Sequence, residues 1–437
     1  MVYSFNNILE KLNNKQIKSS IITLSLRVIG VITLFVFTIF LNRNFSPDIV
    51  GDYEFTRMFL LVTGGICIIG TDVSILYFSG LLKSENKFYK IKSLYYKVLI
   101  LSAILCLLIL LIFYSFFSEL TINTFFGKSN SYYLVSTSLL FLIFNVWTLF
   151  NTEVLRALDQ IVWSELFRNT FKFFPIFIGS YLLYNSNSPE LILDVYIKGF
   201  AILCLITTLF VVFLLKRIPD SKHINDGISF KEIIRYSFPM CISSIIIYLL
   251  STIDIVLLRN FYGSSDVAYY ALAIKLISIS GMIILSINVN VSPHISELYA
   301  NKEIKILENL LRKSSRIIFS LNLLLCIVLL IFSDYVLSFF GKEYVIAKEA
   351  FVILILGQLI VSGFGSVAVF LNMTGRPSVF RRILFIALIL NMVLNYLLIP
   401  KLGLKGAAIT YVITILFWNS TAAIYILRKD NIKTFIH

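Results

Sequence analysis

Long apolar runs separated by short polar turns organise this chain. A run of about 20 apolar residues is needed to cross about 30 Å of hydrocarbon. Such runs begin near Ser20, Tyr53, Tyr95, Tyr132, Ile161 and Leu191, and again near Ile233, Val267, Ile317, Ala347, Val379 and Leu404. The pattern predicts an all-α integral membrane protein with about twelve transmembrane helices, six in each half. The polar stretch Lys216-Arg217-Ile218-Pro219-Asp220-Ser221-Lys222-His223, running on to Gly227, reads as the linker between halves. The expected division is an N-terminal segment 1–18, a six-helix bundle 19–216, a linker 217–230, a second six-helix bundle 231–427 and a tail 428–437. Each half has an even number of spans, so both copies enter from the same side. They are parallel repeats about an axis along the membrane normal. No loop exceeds roughly 25 residues, too few for an extramembrane domain.

Composition agrees with this pattern: 58% of the 437 residues are hydrophobic, 14% are charged, and the mean hydropathy is +0.88. With the N-terminus inside, the cytoplasmic segments hold about 27 of the 38 Lys and Arg, against about seven outside. Both termini are therefore expected in the cytoplasm. The net charge of +14 is then mostly topological and faces anionic lipid, not nucleic acid. Within the first 18 residues, Val2, Phe5, Leu9 and Leu12 fit either a short amphipathic helix on the inner surface or a frayed tail. Glu10 and three lysines ahead of a full-length span argue against a cleavable signal. Five cysteines lie inside apolar runs without Cys-x-x-Cys spacing and read as small core residues.

The halves share local sequence. Phe125-Phe126-Gly127-Lys128 returns about 214 positions later as Phe339-Phe340-Gly341-Lys342, each time in a predicted outer loop. Val50-Gly51-Asp52-Tyr53 answers to Val267-Ala268-Tyr269-Tyr270, with Arg57 about one helical turn after the first tyrosine and Lys275 after the second. A stripe of Ser237, Cys241, Ser244, Tyr248 and Ser251 marks helix seven as either a tight seam or a cavity wall. Ser20, Thr23, Arg27 and Gly30 form a similar stripe on helix one, where Arg27 tips the reading towards a cavity wall.

Four cations fall inside predicted spans: Arg27, Arg57, Lys198 and Lys275. A charge near the bilayer centre costs about 2.5–3.5 kcal/mol on the insertion scale, so depth decides the reading. Lys275, about 13 Å into its helix, is too deep for easy snorkelling and is the first candidate for lining a hydrated cavity. Arg27 and Arg57 lie nearer their helix ends, where snorkelling competes; Lys198 sits near the outer end of helix six. Opposing carboxylates look scarce: Asp72 and Asp254 are the main acids within spans, with Glu153 and Asp194 at helix ends. A cationic cavity suits an anionic substrate, and arginine matches phosphate oxygens bidentately. Asp72 and Asp254 are candidate sites for a coupling proton or sodium ion, with boundary anchoring the competing role for Asp254. No Walker-A loop, Gly-x-Gly-x-x-Gly turn, metal spacing or catalytic triad is present, and no cofactor is implied.

The C-terminal third carries a resemblance. Leu371-Asn372-Met373-Thr374-Gly375-Arg376-Pro377 is followed by Asn391, by Asn395-Tyr396-Leu397-Leu398-Ile399-Pro400, and by Gly403-Leu404-Lys405-Gly406-Ala407-Ala408. With Phe340-Gly341-Lys342-Glu343-Tyr344 and Asp266-Val267-Ala268-Tyr269-Tyr270, these stretches resemble the bacterial polysaccharide flippases, the O-antigen (Wzx-type) exporters. That family belongs with the multidrug and toxin extrusion and lipid II flippase superfamily. The resemblance implies two six-helix bundles working by alternating access in the bacterial inner membrane on an undecaprenyl-diphosphate-linked oligosaccharide. It also implies that Arg27, Arg57 and Lys275 occupy places similar to the cavity cations of lipid II flippases. A proton or sodium counter-ion and contact with polysaccharide polymerase or ligase machinery are further expectations. The rival readings are a drug/ion antiporter on the same fold, which favours acidic cavity walls, and a membrane-embedded polymerase or ligase, which needs a larger polar loop.

Overall fold

A computed structural model describes residues 15–184, 186, 188, 189, 191–219 and 228–436. The expected surface helix at Val2–Leu12 and most of the linker lie outside the described residues. The helices, in chain order, are α1 (Lys15–Asn44), α2 (Pro47–Ile68), α3 (Thr71–Ser84), α4 (Ile91–Phe116), α5 (Glu119–Phe125), α6 (Ser131–Leu140), α7 (Leu142–Ala157), α8 (Ile161–Asn169), α9 (Phe174–Leu183) and α10 (Leu191–Lys216). After the linker come α11 (Phe230–Leu250), α12 (Ile253–Phe261), α13 (Ser264–Ala300), α14 (Ile304–Ile331), α15 (Ser333–Phe340), α16 (Lys348–Ser362), α17 (Val367–Met373), α18 (Pro377–Leu402) and α19 (Leu404–Asp430).

Among the described residues, nine helical segments are long and apolar enough to cross a membrane. Two bent pairs, α2 with α3 (43°) and α6 with α7 (52°), bring the number to eleven. The segment 161–183, expected as the fifth span, is built from α8, a 3₁₀ turn at Phe171–Phe173 and α9, which carries Pro175 in its first turn. The chain is thus an all-helical, multi-pass membrane protein with about twelve crossings. Its surface chemistry is inverted as lipid demands. On α4, Ser102 and Cys106 are buried while Ile104, Leu107, Leu108 and Leu111 are exposed.

The helices fall into two compact units. One comprises residues up to Phe45 together with Phe59–Ile122 and Asn130–Ile245; the other comprises Ser46–Met58, Asn123–Ser129 and everything from Ile246 onward. Ser46–Met58 and Asn123–Ser129 precede the linker in sequence, yet they pack as part of the second unit. In the first unit α7 is central, packing on α3, α4, α8 and α10. In the second, α19 packs along α16 and α18, and α13 along α14 and α16. Its core gathers Ile295, Leu307, Leu311, Phe370 and Ile426, closed by Ile432 beyond the end of α19.

The repeated Phe-Phe-Gly-Lys ends a short helix each time, α5 in the first copy and α15 in the second. Its glycine takes positive φ (71° at Gly127, 151° at Gly341), which a side chain would strain. The stripe on α11 divides its roles within each unit. Ser237 bonds Ser74 Oγ at 2.6 Å and Cys241 abuts Gly70, a seam; Ser251 lines a cavity of about 290 Å³ in the second unit. All five cysteines are buried and free.

Candidate functional site

Three clusters of ionised side chains emerge, two in the second unit and one in the first. The first is built on α2 and α13. Glu54, 1% exposed, takes Lys275 Nζ on one carboxylate oxygen, and on the other it accepts Arg57 Nε at 2.9 Å and Arg57 Nη2 at 2.8 Å. Arg57 follows Glu54 by three residues, so both project from one face of α2. Lys275 is 9% exposed, whereas the Arg57 side chain keeps about a third of its surface (32%) open. Two cations on one carboxylate leave a formal charge of +1. The Tyr344 ring stands edge-on to Tyr269 at 5.3 Å, with its buried hydroxyl lacking a hydrogen-bond partner among the described residues.

The second cluster lies one turn away, where the start of α2 meets α12 and the start of α13. Arg259, with no exposed surface, donates from Nη2 to Asp52 Oδ1 at 3.0 Å and stacks over Phe55, 4.0 Å from the ring centre. Ser264 Oγ donates to the same oxygen. Lys128, from the first Phe-Phe-Gly-Lys, reaches Asp48 at 3.3 Å, Asp52 at 3.5 Å and Ser264 Oγ at 3.1 Å. That lysine therefore does more than mark a loop turn. The cluster is held tight because Gly51 meets Ser264 backbone to backbone: a Cβ on Gly51 would lie 1.7 Å from the Ser264 carbonyl oxygen.

The third cluster belongs to the first unit. Arg27 places Nε and Nη2 on the two oxygens of Glu165, each at 3.2 Å. Arg156 (2.5 Å) and Asn169 (2.8 Å) complete that carboxylate, while Arg168 (2.5 Å) and Arg156 (3.4 Å) hold Glu153. Arg27→Gln should cost about 1 kcal/mol or less, because Arg27 is partly exposed and Glu165 keeps Arg156 and Asn169. Glu165→Leu, which takes a shared carboxylate from two arginines, should cost several times more. Thermal unfolding of the two variants in one detergent compares them; equal losses would contradict this geometry.

The four predicted cations thus separate by place. Arg57 and Lys275 converge on one carboxylate in the second unit, and Arg27 lies in the first. Lys198 pairs with Asp194 at 2.7 Å in the first unit, beside an apolar groove between α9 and α10. The expectation of scarce carboxylates is corrected, since each of the four faces an acid, and two of those acids, Glu54 and Glu165, were missed. The Glu54/Arg57 spacing was a signal available in the sequence; the pairing of Arg259 with Asp52, across 207 positions, was not.

The two candidate coupling acids have different surroundings. Asp254, near the start of α12 after the break at 251–252, accepts the Tyr270 hydroxyl at 2.7 Å and its neighbour's amide at 2.9 Å. Asp72 keeps one buried oxygen without a hydrogen-bond partner among the described residues. No group of three His, Cys, Asp or Glu side chains among the described residues is placed to hold a metal ion.

Bent spans and two compact helical units, with ion clusters on their apolar helices, define a multi-pass membrane protein. The chain belongs to the polysaccharide biosynthesis protein family, whose model matches residues 17–299, well over half of its length. The MatE family model matches residues 239–397. The capsular polysaccharide biosynthesis protein CapF of Staphylococcus aureus is 29% identical over 194 residues, which is 44% of this chain and 49% of that protein. Overall, the chain spans about half the length of the curated relatives it matches, 38% to 57%. Among solved structures, the lipid II flippase MurJ in its inward closed conformation superposes with a TM-score of 0.74 at 15% identity, covering 94% of this chain and 87% of that one. An inward-facing multidrug resistance MATE family transporter of the MOP superfamily gives 0.72 at 15% identity, over 93% and 96%. At that identity the likeness is one of fold.

Proposed function

We propose that this protein is a transporter, not an enzyme. In this reading it flips an undecaprenyl-diphosphate-linked oligosaccharide, an O-antigen or related surface-polysaccharide repeat unit, from the cytoplasmic to the outer leaflet of a bacterial inner membrane. The observation that carries the reading is the Glu54–Arg57–Lys275 cluster: two cations on candidate membrane-spanning helices around one carboxylate, with the arginine partly open. A diphosphate is the anion such a pair suits, because guanidinium offers planar paired donors and ammonium a compact charge. The lipid tail stays in the bilayer while the headgroup passes. Arg27 and Lys198, each beside an acid in the first unit, are secondary candidate contacts for the substrate. Both termini face the cytoplasm, as the lysine and arginine bias supports.

A proton or sodium ion exchanging at Asp254 or Asp72 supplies the drive. Asp254 has no cation partner among the described residues and Asp72 keeps a buried oxygen without a hydrogen-bond partner among them, and both support this role. Net movement requires that substrate and ion each bind the inward- and outward-open states unequally. The MatE match favours a second reading, a drug/ion antiporter, and the formal +1 charge around Glu54 argues against its cationic substrates.

Reconstitution into proteoliposomes tests the proposal. The wild-type protein should move undecaprenyl-diphosphate-linked oligosaccharide between leaflets, and Lys275→Ala should slow it about 10–100-fold, the loss of roughly 1.4–2.8 kcal/mol of headgroup interaction. A Lys275→Ala protein inserted at normal levels and transporting at the wild-type rate would sink the cationic mechanism. Cells lacking the protein that fail to accumulate the glycolipid on the inner leaflet would sink the flippase reading itself.

A further inference from the structure

The second unit contains a cavity of about 220 Å³ bounded by α13, α16, the 365–368 segment and α19. At about 30 Å³ per water it holds roughly seven water volumes, below the about 300–1,000 Å³ typical of drug-sized ligands. Its polar groups are all neutral. Gln358, 7% exposed, lines the cavity, and its amide makes no hydrogen bond among the described residues. Asn288 accepts from Ser366 Oγ at 2.5 Å on its Oδ1, which leaves its amide N–H groups to donate. Asn419, 3% exposed, donates to Ile415 O at 2.7 Å, which leaves its Oδ1 to accept. Tyr411 and Trp418 form the α19 wall, and they also line the adjoining cavity of about 290 Å³, so two chambers meet at these rings. No charged side chain lines either chamber.

We infer that this cavity is a saccharide subsite, taking one uncharged sugar ring against Trp418 and Tyr411 with hydrogen bonds to Gln358, Asn288 and Asn419. The inference rests on the flippase reading for the source of the sugar, and it deepens that reading. Its chemistry excludes the other ligand classes. An ion would be stripped of water with no opposite charge to meet it. A purely apolar ligand would leave the Gln358 amide buried and unsatisfied. A sugar ring presents hydroxyls that both donate and accept, matching the carboxamides, and an apolar face that matches an aromatic ring. Selectivity among sugars then follows from which hydroxyls the three carboxamides meet, since a site built to hydrogen-bond a hydroxyl discriminates strongly against its absence.

Binding and transport are tested separately. The chain has three tryptophans, Trp147, Trp163 and Trp418, so Trp147→Phe/Trp163→Phe leaves Trp418 as the reporter in the full-length protein. Titration with N-acetylglucosamine, galactose and rhamnose should give a saturable response to at least one of them, with half-saturation on the order of millimolar. Glucuronate should give none. Gln358→Leu and the half-buried Asn288→Leu should each weaken the response at least tenfold. In proteoliposomes, Gln358→Leu should slow undecaprenyl diphosphate carrying one N-acetylglucosamine about tenfold and leave bare undecaprenyl diphosphate within twofold of wild type. The subsite is overturned if no neutral sugar alters Trp418, if both variants respond like wild type, or if both lipids slow together. If the wild-type protein moves neither lipid, the flippase reading falls, and the sugar titration alone decides the subsite.

Discussion

Glu54→Gln is expected to destabilise the second unit by about 3–5 kcal/mol, the effect of taking the opposing charge from a buried cation. Glu54 is 1% exposed and Lys275 9%, so neither can turn to water, and the glutamine cannot replace the carboxylate that Lys275 faces. Lys275→Met should cost less, because Arg57 still answers Glu54. The double variant Glu54→Gln/Lys275→Met should recover most of the first loss, since removing both charges of a buried pair is often close to neutral. Unfolding midpoints of the four proteins in one detergent form a double-mutant cycle, and additive losses would mean that the two side chains do not interact. The double variant should fold and still fail to move the glycolipid, which separates the part the charges play in stability from their part in transport.

Gly51→Val is expected to have the other large effect, abolishing recovery of monodisperse protein. The added Cβ meets backbone, not a side chain that can rotate away: the Ser264 carbonyl oxygen, its carbon and the Cα at 1.7, 2.4 and 2.9 Å. Overpacking costs about 1–3 kcal/mol even where neighbours yield. Here relief requires α13 to move off α2, taking Ser264 from Asp52 and loosening Arg259 with it. Gly80→Ala provides the control. Nothing lies within 4 Å of a Cβ there, and helix propensity predicts a gain of about 0.5–1 kcal/mol. Equal behaviour of the two variants in size-exclusion chromatography would show that α2 and α13 are not in backbone contact.

Much of the architecture was legible because the bilayer imposes a length on every apolar run, and helix positions followed from those runs without tertiary information. Broken helices were less legible: 161–183 has span composition, but Pro175 and the Phe171–Phe173 turn divide it into pieces too short to read as separate elements. The candidate cations stood out because a charge interrupting an apolar run is conspicuous. Their partners did not, since pairing is a tertiary property. Lys275 and Glu54 are 221 positions apart, and Arg27 and Glu165 are 138 apart. The Phe-Phe-Gly-Lys repeat was legible as duplication and as a turn, while the destination of Lys128 depended on how α5 folds back. Gln358 and Asn419 were invisible for a different reason: a neutral amide in an apolar helix stands out only when its partners can be counted.

The joint between α2 and α3 has a mechanical consequence. Ile69 sits at φ 48° and Gly70 at φ 70°, where the span bends by 43°. A β-branched residue in the left-handed region carries about 1–3 kcal/mol of backbone strain, so the joint is tensioned, not slack. The Thr71 hydroxyl answers the Ile68 carbonyl at 2.6 Å across the bend, and Ser74 is tied to Ser237. Beyond the pivot, α3 is a rigid arm of 14 residues, about 21 Å long. A 10° rotation would carry Ser84 through about 3.7 Å and Asp72, close to the fulcrum, through only about 0.5 Å. The acid therefore rides where leverage is least: its surroundings can be rearranged by motion farther along the arm while its own position stays nearly fixed.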